Sequence, residues 1–193
     1  MKEVTTNIND NRTEPQKKNK AFLIGIILVI LLILGVTSFF RTAKSTESEL
    51  FTAYFEPFPD VIVNRNEEES DLLTIGMAAY NYSDYTIAAI RLEQFLNRDD
   101  ISEDNQKNTP IYVGISNLAI GNINSAVQYF KTIIEQHDTF KAQAEWYLAL
   151  AYLKKGDLGN CEKKLRNIQS KSKHDYHSEA VELLKKIMKL KKN

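Results

Sequence analysis

Residues 72–96, 110–134 and 145–168 write one helix-turn-helix unit three times. The copies align on their turns: Ser83-Asp84-Tyr85, Gly121-Asn122-Ile123 and Gly156-Asp157-Leu158. Upstream of each turn a small residue stands in register, namely Gly76, Gly114 and Ala149. Downstream comes a second small residue, Ala88, Ala126 or Cys161, and four positions later a large apolar one, Leu92, Phe130 or Leu165. The period is 38 residues from Asp84 to Asn122 and 35 from Asn122 to Asp157. A unit of this length cannot bury its apolar face alone and must stack on its neighbours. The expected fold is therefore all-α: a short helix-turn-helix solenoid of about three repeats, with binding as its natural task and catalysis a distant second.

The third copy reads Trp146-Tyr147-Leu148-Ala149-Leu150-Ala151-Tyr152, then Gly156-Asp157; the second has Gly114, Gly121-Asn122, Ala126 and Phe130; the first has Ile75-Gly76, Asp84-Tyr85 and Ala88. These residues resemble the tetratricopeptide repeat family, whose period is about 34 residues. No copy carries the family's closing proline, and Trp146 stands one position later than the family tryptophan. The resemblance covers about 100 residues (70–175) and is of the single-span, membrane-anchored bacterial type in layout.

The second constraint is Ala21 to Phe40, AFLIGIILVILLILGVTSFF, which carries no charge. A run of about 20 apolar residues spans the hydrocarbon core as a helix. The flank from Phe39 to Lys44 offers a poor signal-peptide cleavage site, so an uncleaved anchor is the better reading. Arg12, Lys17, Lys18 and Lys20 precede the run, whereas Arg41 and Lys44 follow it and then give way to Glu47, Glu49, Glu56 and Asp60. By the positive-inside rule, residues 1–20 face the cytoplasm as a polar, disordered tail. The repeats then face the periplasm or another extracytoplasmic space, on a bacterial inner membrane.

Residues 41–69 form a juxtamembrane segment. Ser45 to Phe55 suits a short helix, and Pro57 and Pro59 force the chain out of it. Val61-Ile62-Val63 is a brief β-prone run. Phe51, Tyr54, Phe55 and Phe58 suit either an aromatic belt at the bilayer surface or a cap packed on the repeats, and the need to cover a solenoid's end favours the cap. In the repeats, first helices are expected near 70–82, 109–120 and 140–155, and second helices near 84–98, 123–137 and 158–170. The stretch Arg98 to Thr109, RDDISEDNQKNT, reads as loop chemistry. Residues 176–193 form a C-terminal capping helix, with Ala180, Leu183, Leu184, Ile187 and Leu190 at helical spacing and lysines opposite.

With 25 basic and 25 acidic residues the chain lacks the basic footprint of a nucleic-acid binder. Its single cysteine, Cys161, forbids an internal disulfide and reads as a small core residue. There is no phosphate-binding loop or nucleophile elbow. His174 and His177 have metal-pair spacing without a third ligand in register, so two exposed turn histidines are the better reading. No catalytic residue, metal or cofactor is expected.

The resemblance implies that the first helix of each repeat lines a concave groove. Carried over position by position, it selects Leu73, Met77 and Tyr80, then Ile111, Ile115 and Leu118, then Trp146, Leu150 and Leu153 as peptide-groove candidates. Family members that clamp chaperone carboxy-termini place Lys and Asn where Leu73 and Met77 stand, which disfavours that use here. An apolar groove of this kind takes an amphipathic peptide, the protein's own segment 51–58 or a second copy in a homodimer. It can equally be closed by the packing of the inner helices on each other. The expected function is a membrane-anchored interaction module or scaffold that binds a protein or peptide during assembly or tethering of an envelope complex. The alternative is a membrane-bound regulator or sensor subunit that gates a partner enzyme.

Overall fold

The computed structural model describes residues 24–27, 46–61, 71–136 and 139–192. The chain divides into two compact units, 1–44 and 45–193. Of the expected membrane helix over 21–40, only residues 24–27 are described, and they are helical. The rest of that expectation, the tail 1–20 and the run beyond Val61 lie outside the described residues. Among the described residues no helix is long and apolar enough to cross a membrane.

The second unit is all-α among its described residues. Helix α1 spans Glu47–Tyr54. Three helical hairpins follow: α2 (Asp71–Asn81) with α3 (Tyr85–Leu96), α4 (Glu103–Ile120) with α5 (Ile123–Gln136), and α6 (Lys141–Lys154) with α7 (Leu158–Gln169). Helix α8, His177–Lys192, ends the described chain. From α2 to α8 each helix packs on the next in sequence; α4 also meets α6, and α1 lies against α6 and α8.

The turns repeat in three dimensions. Ser83, Gly121 and Gly156 have φ of 61°, 90° and 76°, the left-handed region that glycine enters without steric cost. The next residue in each turn donates its amide five residues back: Asp84 to Ala79 O at 2.8 Å, Asn122 to Asn117 O at 2.8 Å and Asp157 to Tyr152 O at 2.9 Å. Asp84 and Asp157 then cap the following helices, accepting from the Ile87 and Asn160 amides at 3.1 and 3.0 Å.

The small residues upstream of the turns bring the two helices of a hairpin together. A Cβ on Gly76 would stand 2.6 Å from Leu92 Cδ2, and one on Gly114 would stand 2.6 Å from Phe130 Cε1. Each small residue therefore meets the large apolar residue that follows its own turn. In the third hairpin Ala149 and Leu165 hold the corresponding places and are fully buried.

One boundary departs from expectation. Helix α4 begins at Glu103, inside the stretch read as loop. Ser102 caps it by accepting from the Asn105 amide at 3.3 Å, and Glu103 and Asp104 place negative charge in the first turn. Lys107 pairs with Glu103 one turn on, and the helix continues through Pro110. A polar composition describes a capped, solvated helix start as well as a loop, and the cap is what separates them.

Candidate functional site

The aromatic segment is the feature around which the second unit is organised. Thr46 starts α1 with a reciprocal capping box, its hydroxyl accepting from the Glu49 amide while its own amide donates to Glu49 Oε2 at 2.8 Å. Leu50 and Phe51 are buried, and Phe55 stacks on Phe51 with centroids 4.9 Å apart. From Phe55 to Val61 the chain has no regular structure, so its carbonyls need partners outside any helix or sheet ladder. Pro57 and Pro59 carry no amide hydrogen, which leaves this strap with more backbone acceptors than donors.

Three tyrosines supply the donors, one from the first helix of each hairpin. Tyr80 on α2 donates to Phe58 O at 2.7 Å, Tyr112 on α4 to Pro59 O at 3.2 Å, and Tyr147 on α6 to Glu56 O at 2.5 Å. The Tyr112 hydroxyl also accepts from the Val61 amide at 3.0 Å. Burial, followed by neighbouring tyrosines and acids, pushes the Tyr80 and Tyr147 hydroxyls far above the ordinary tyrosine value. They stay protonated donors across the physiological range. Phe58 fills the space between Phe140 and Tyr112, at 5.4 and 6.4 Å between centroids. Tyr54 meets Trp146 edge-on at 6.3 Å.

All nine groove candidates are buried: Leu73, Met77, Tyr80, Ile111, Ile115, Leu118, Trp146, Leu150 and Leu153. Tyr80 bonds to the strap, Trp146 meets Tyr54 at the end of α1, and the others share one hydrophobic core with Leu50 and Phe51 of α1. The face implied by the resemblance is thus closed by the protein's own segment and by helix packing. The segment lies against α6 and α8 and reaches Tyr80 and Tyr112, so it runs along the first helices of the hairpins rather than over one end. Lys154 belongs to the same contact. Its ammonium donates to Leu118 O and Ala119 O at 2.8 and 3.1 Å, satisfying carbonyls at the end of α4, and sits 4.4 Å from the Phe51 ring centroid. Burial holds that ammonium below the usual lysine range.

Position-by-position transfer from the family missed Tyr112 and Tyr147. Both stand two residues before the small residue of their repeat, Gly114 and Ala149. The recurrence was present in the sequence, but its purpose appears only once the proline-rich strap needs donors.

His174 is not an exposed turn residue: its side chain is 4 % exposed. Its Nδ1 accepts from the Tyr176 amide at 3.1 Å, and its Nε2 lies 3.1 Å from Glu145 Oε2. That geometry requires the hydrogen on Nε2, and the ring serves as a joint between the turn and α6. Lys171 reaches the same carboxylate at 2.7 Å. Among the described residues no group of three or more His, Cys, Asp or Glu is arranged to hold a metal. Cys161 is fully buried, and burial together with Asp157 and Glu162 pushes its thiol up to about 12. It sits in the packing as a small residue, without thiolate character at neutral pH.

No protein-family model matches the chain, and no curated protein is similar to it.

Proposed function

We propose that this protein is a membrane-anchored interaction module of the tetratricopeptide type, with a solenoid of three hairpins tethered through residues 21–40 and facing the extracytoplasmic side of a bacterial inner membrane. It binds another protein and holds it at the envelope. The observation that carries this reading is the threefold recurrence of one hairpin, with the same left-handed turn and the same five-residue backbone bond each time. A chain built by repetition offers extended surface rather than a single catalytic cleft.

The inner face is occupied, which moves the partner's contacts to the rim of the strap and to the outside of the hairpins. The first hairpin exposes Ile75, Ile87 and Ile90 at 47, 38 and 45 %. The test is a photo-crosslinking residue placed at Ala53, on the exposed side of α1 beside the strap, and separately at Ile90, in the full chain in cells. The reading expects a defined protein adduct from at least one position. Absence of any protein adduct from both would contradict it.

A further inference from the structure

Beside the strap lies a cavity of about 360 Å³. Its walls include Tyr54, Trp146, Tyr147 and Tyr176, and its rim carries Glu56 and Glu179. The volume is at the low end for ligand pockets, which run from about 300 to 1,000 Å³, and suits one side chain. Trp146 and Tyr176 lie parallel, 2° apart, with centroids at 5.3 Å, and Tyr54 stands edge-on to Trp146.

The two charged residues that line the cavity, Glu56 and Glu179, are both acids. Among the described residues neither has a basic partner. The Tyr176 hydroxyl registers that field: beyond the effect of burial, Asp175, Glu179 and Glu56 all push it upward, to about 12. Rings of α1 already attract cations, with Lys186 4.8 Å from the centroid of Tyr54, a wall of this cavity, and Lys154 over Phe51.

We propose that this cavity is the recognition pocket for an arginine side chain of the partner protein. A planar guanidinium stacks on aromatic faces, is weakly hydrated and forks onto carboxylates; the cavity presents the partly exposed rings of Tyr54 and Tyr176 and the carboxylates of Glu56 and Glu179, while Trp146 and Tyr147 are buried. The inference deepens the interaction reading and rests on it, since it names the feature by which the partner is recognised. It also accounts for the strap's second contribution. Besides covering the inner face, residues 54–59 supply one wall of the cavity, so the site exists only when the strap is seated.

Trp146 is the only tryptophan in the chain and lines the cavity, so its fluorescence reports occupancy. The experiment titrates the detergent-solubilised full chain with Nα-acetyl-arginine amide. Nα-acetyl-citrulline amide serves as the uncharged isostere and tetramethylammonium as a cation without donors. The expected result is a saturable change in Trp146 emission with the arginine compound and none with citrulline. Affinity should fall about threefold or more in Glu56→Gln and in Glu179→Gln, both exposed positions whose circular dichroism should match the parent. No saturable response, an equal response to citrulline, tighter binding of tetramethylammonium, or unchanged affinity in both variants overturns the proposal. A protein crosslinked at Ala53 without any arginine response defeats the arginine pocket and leaves the interaction module standing. An arginine response without a crosslinked protein at either position does the reverse.

Discussion

Ser83 holds a left-handed turn at φ 61°, where its counterparts in the other two hairpins are glycines. An L-residue pays roughly 1–2 kcal/mol for that conformation. Ser83→Gly should therefore stabilise the protein by about 1 kcal/mol, after the entropy that glycine gains in the unfolded chain is deducted. A thermal melt of the purified chain reads the gain, and an unchanged or lower midpoint would refute the strain. Gly114 works in the opposite sense. A methyl group there meets the Phe130 ring at 2.6 Å, so Gly114→Ala overpacks by roughly 1–3 kcal/mol. The better helix propensity of alanine, about 1 kcal/mol, offsets only part of that. The expected outcome is a lower melting midpoint. Both pairings were legible beforehand, because Gly76 with Leu92 and Gly114 with Phe130 keep one spacing across the turn. Two of the tyrosine donors, Tyr112 and Tyr147, were not, because a family offset says which positions face inward and nothing about what an adjoining segment requires.

At the scale of elements, the strap is held by hydroxyl groups rather than by a ladder. Tyr147→Phe keeps the ring packed between Phe55 and Phe130 and removes only the bond to Glu56 O. The expected cost is about 1 kcal/mol. Hydrogen exchange should show faster opening of residues 55–61 while α4 and α5 keep their protection. Equal acceleration everywhere would mean that the strap is not a separable element. The closing helix α8 is tied to α7 by charge. Lys191 and then Arg166 hold the Glu162 carboxyl below the usual carboxylate range. A lowered folded-state value contributes stability that is fully present above the ordinary value of about 4.5 and is lost as pH falls through the folded value. Amides near Lys191 should therefore lose protection as pH falls below about 4.5, after correction for intrinsic rates, and Glu162→Gln should abolish that difference. The existence of the helices was legible from apolar spacing, and α8 was expected at 176–193 and found at His177–Lys192. The start of α4 was not, because Ser102, Glu103 and Asp104 form a helix cap written in residues that also serve loops.

For the whole molecule, the sequence conveyed that stacked helical pairs must bury a shared apolar face. It left open what covers the inner side of that face. Four aromatics within residues 51–58 and two prolines were the signal. A membrane belt and a packed strap call for the same residue types, and only the positions of Tyr80, Tyr112 and Tyr147 distinguish them. The central claim is that the inner face is filled by the protein's own segment and not held open for a peptide. The most direct measurement places a photo-crosslinking residue at Phe58 in the full chain in cells, with mass spectrometry of the product. The account predicts an adduct within the same chain, at or beside Tyr112 or Phe140, whose rings lie 6.4 and 5.4 Å from Phe58. An adduct to a different protein, with no internal product, would show that the strap leaves the face in the cell and would contradict the account.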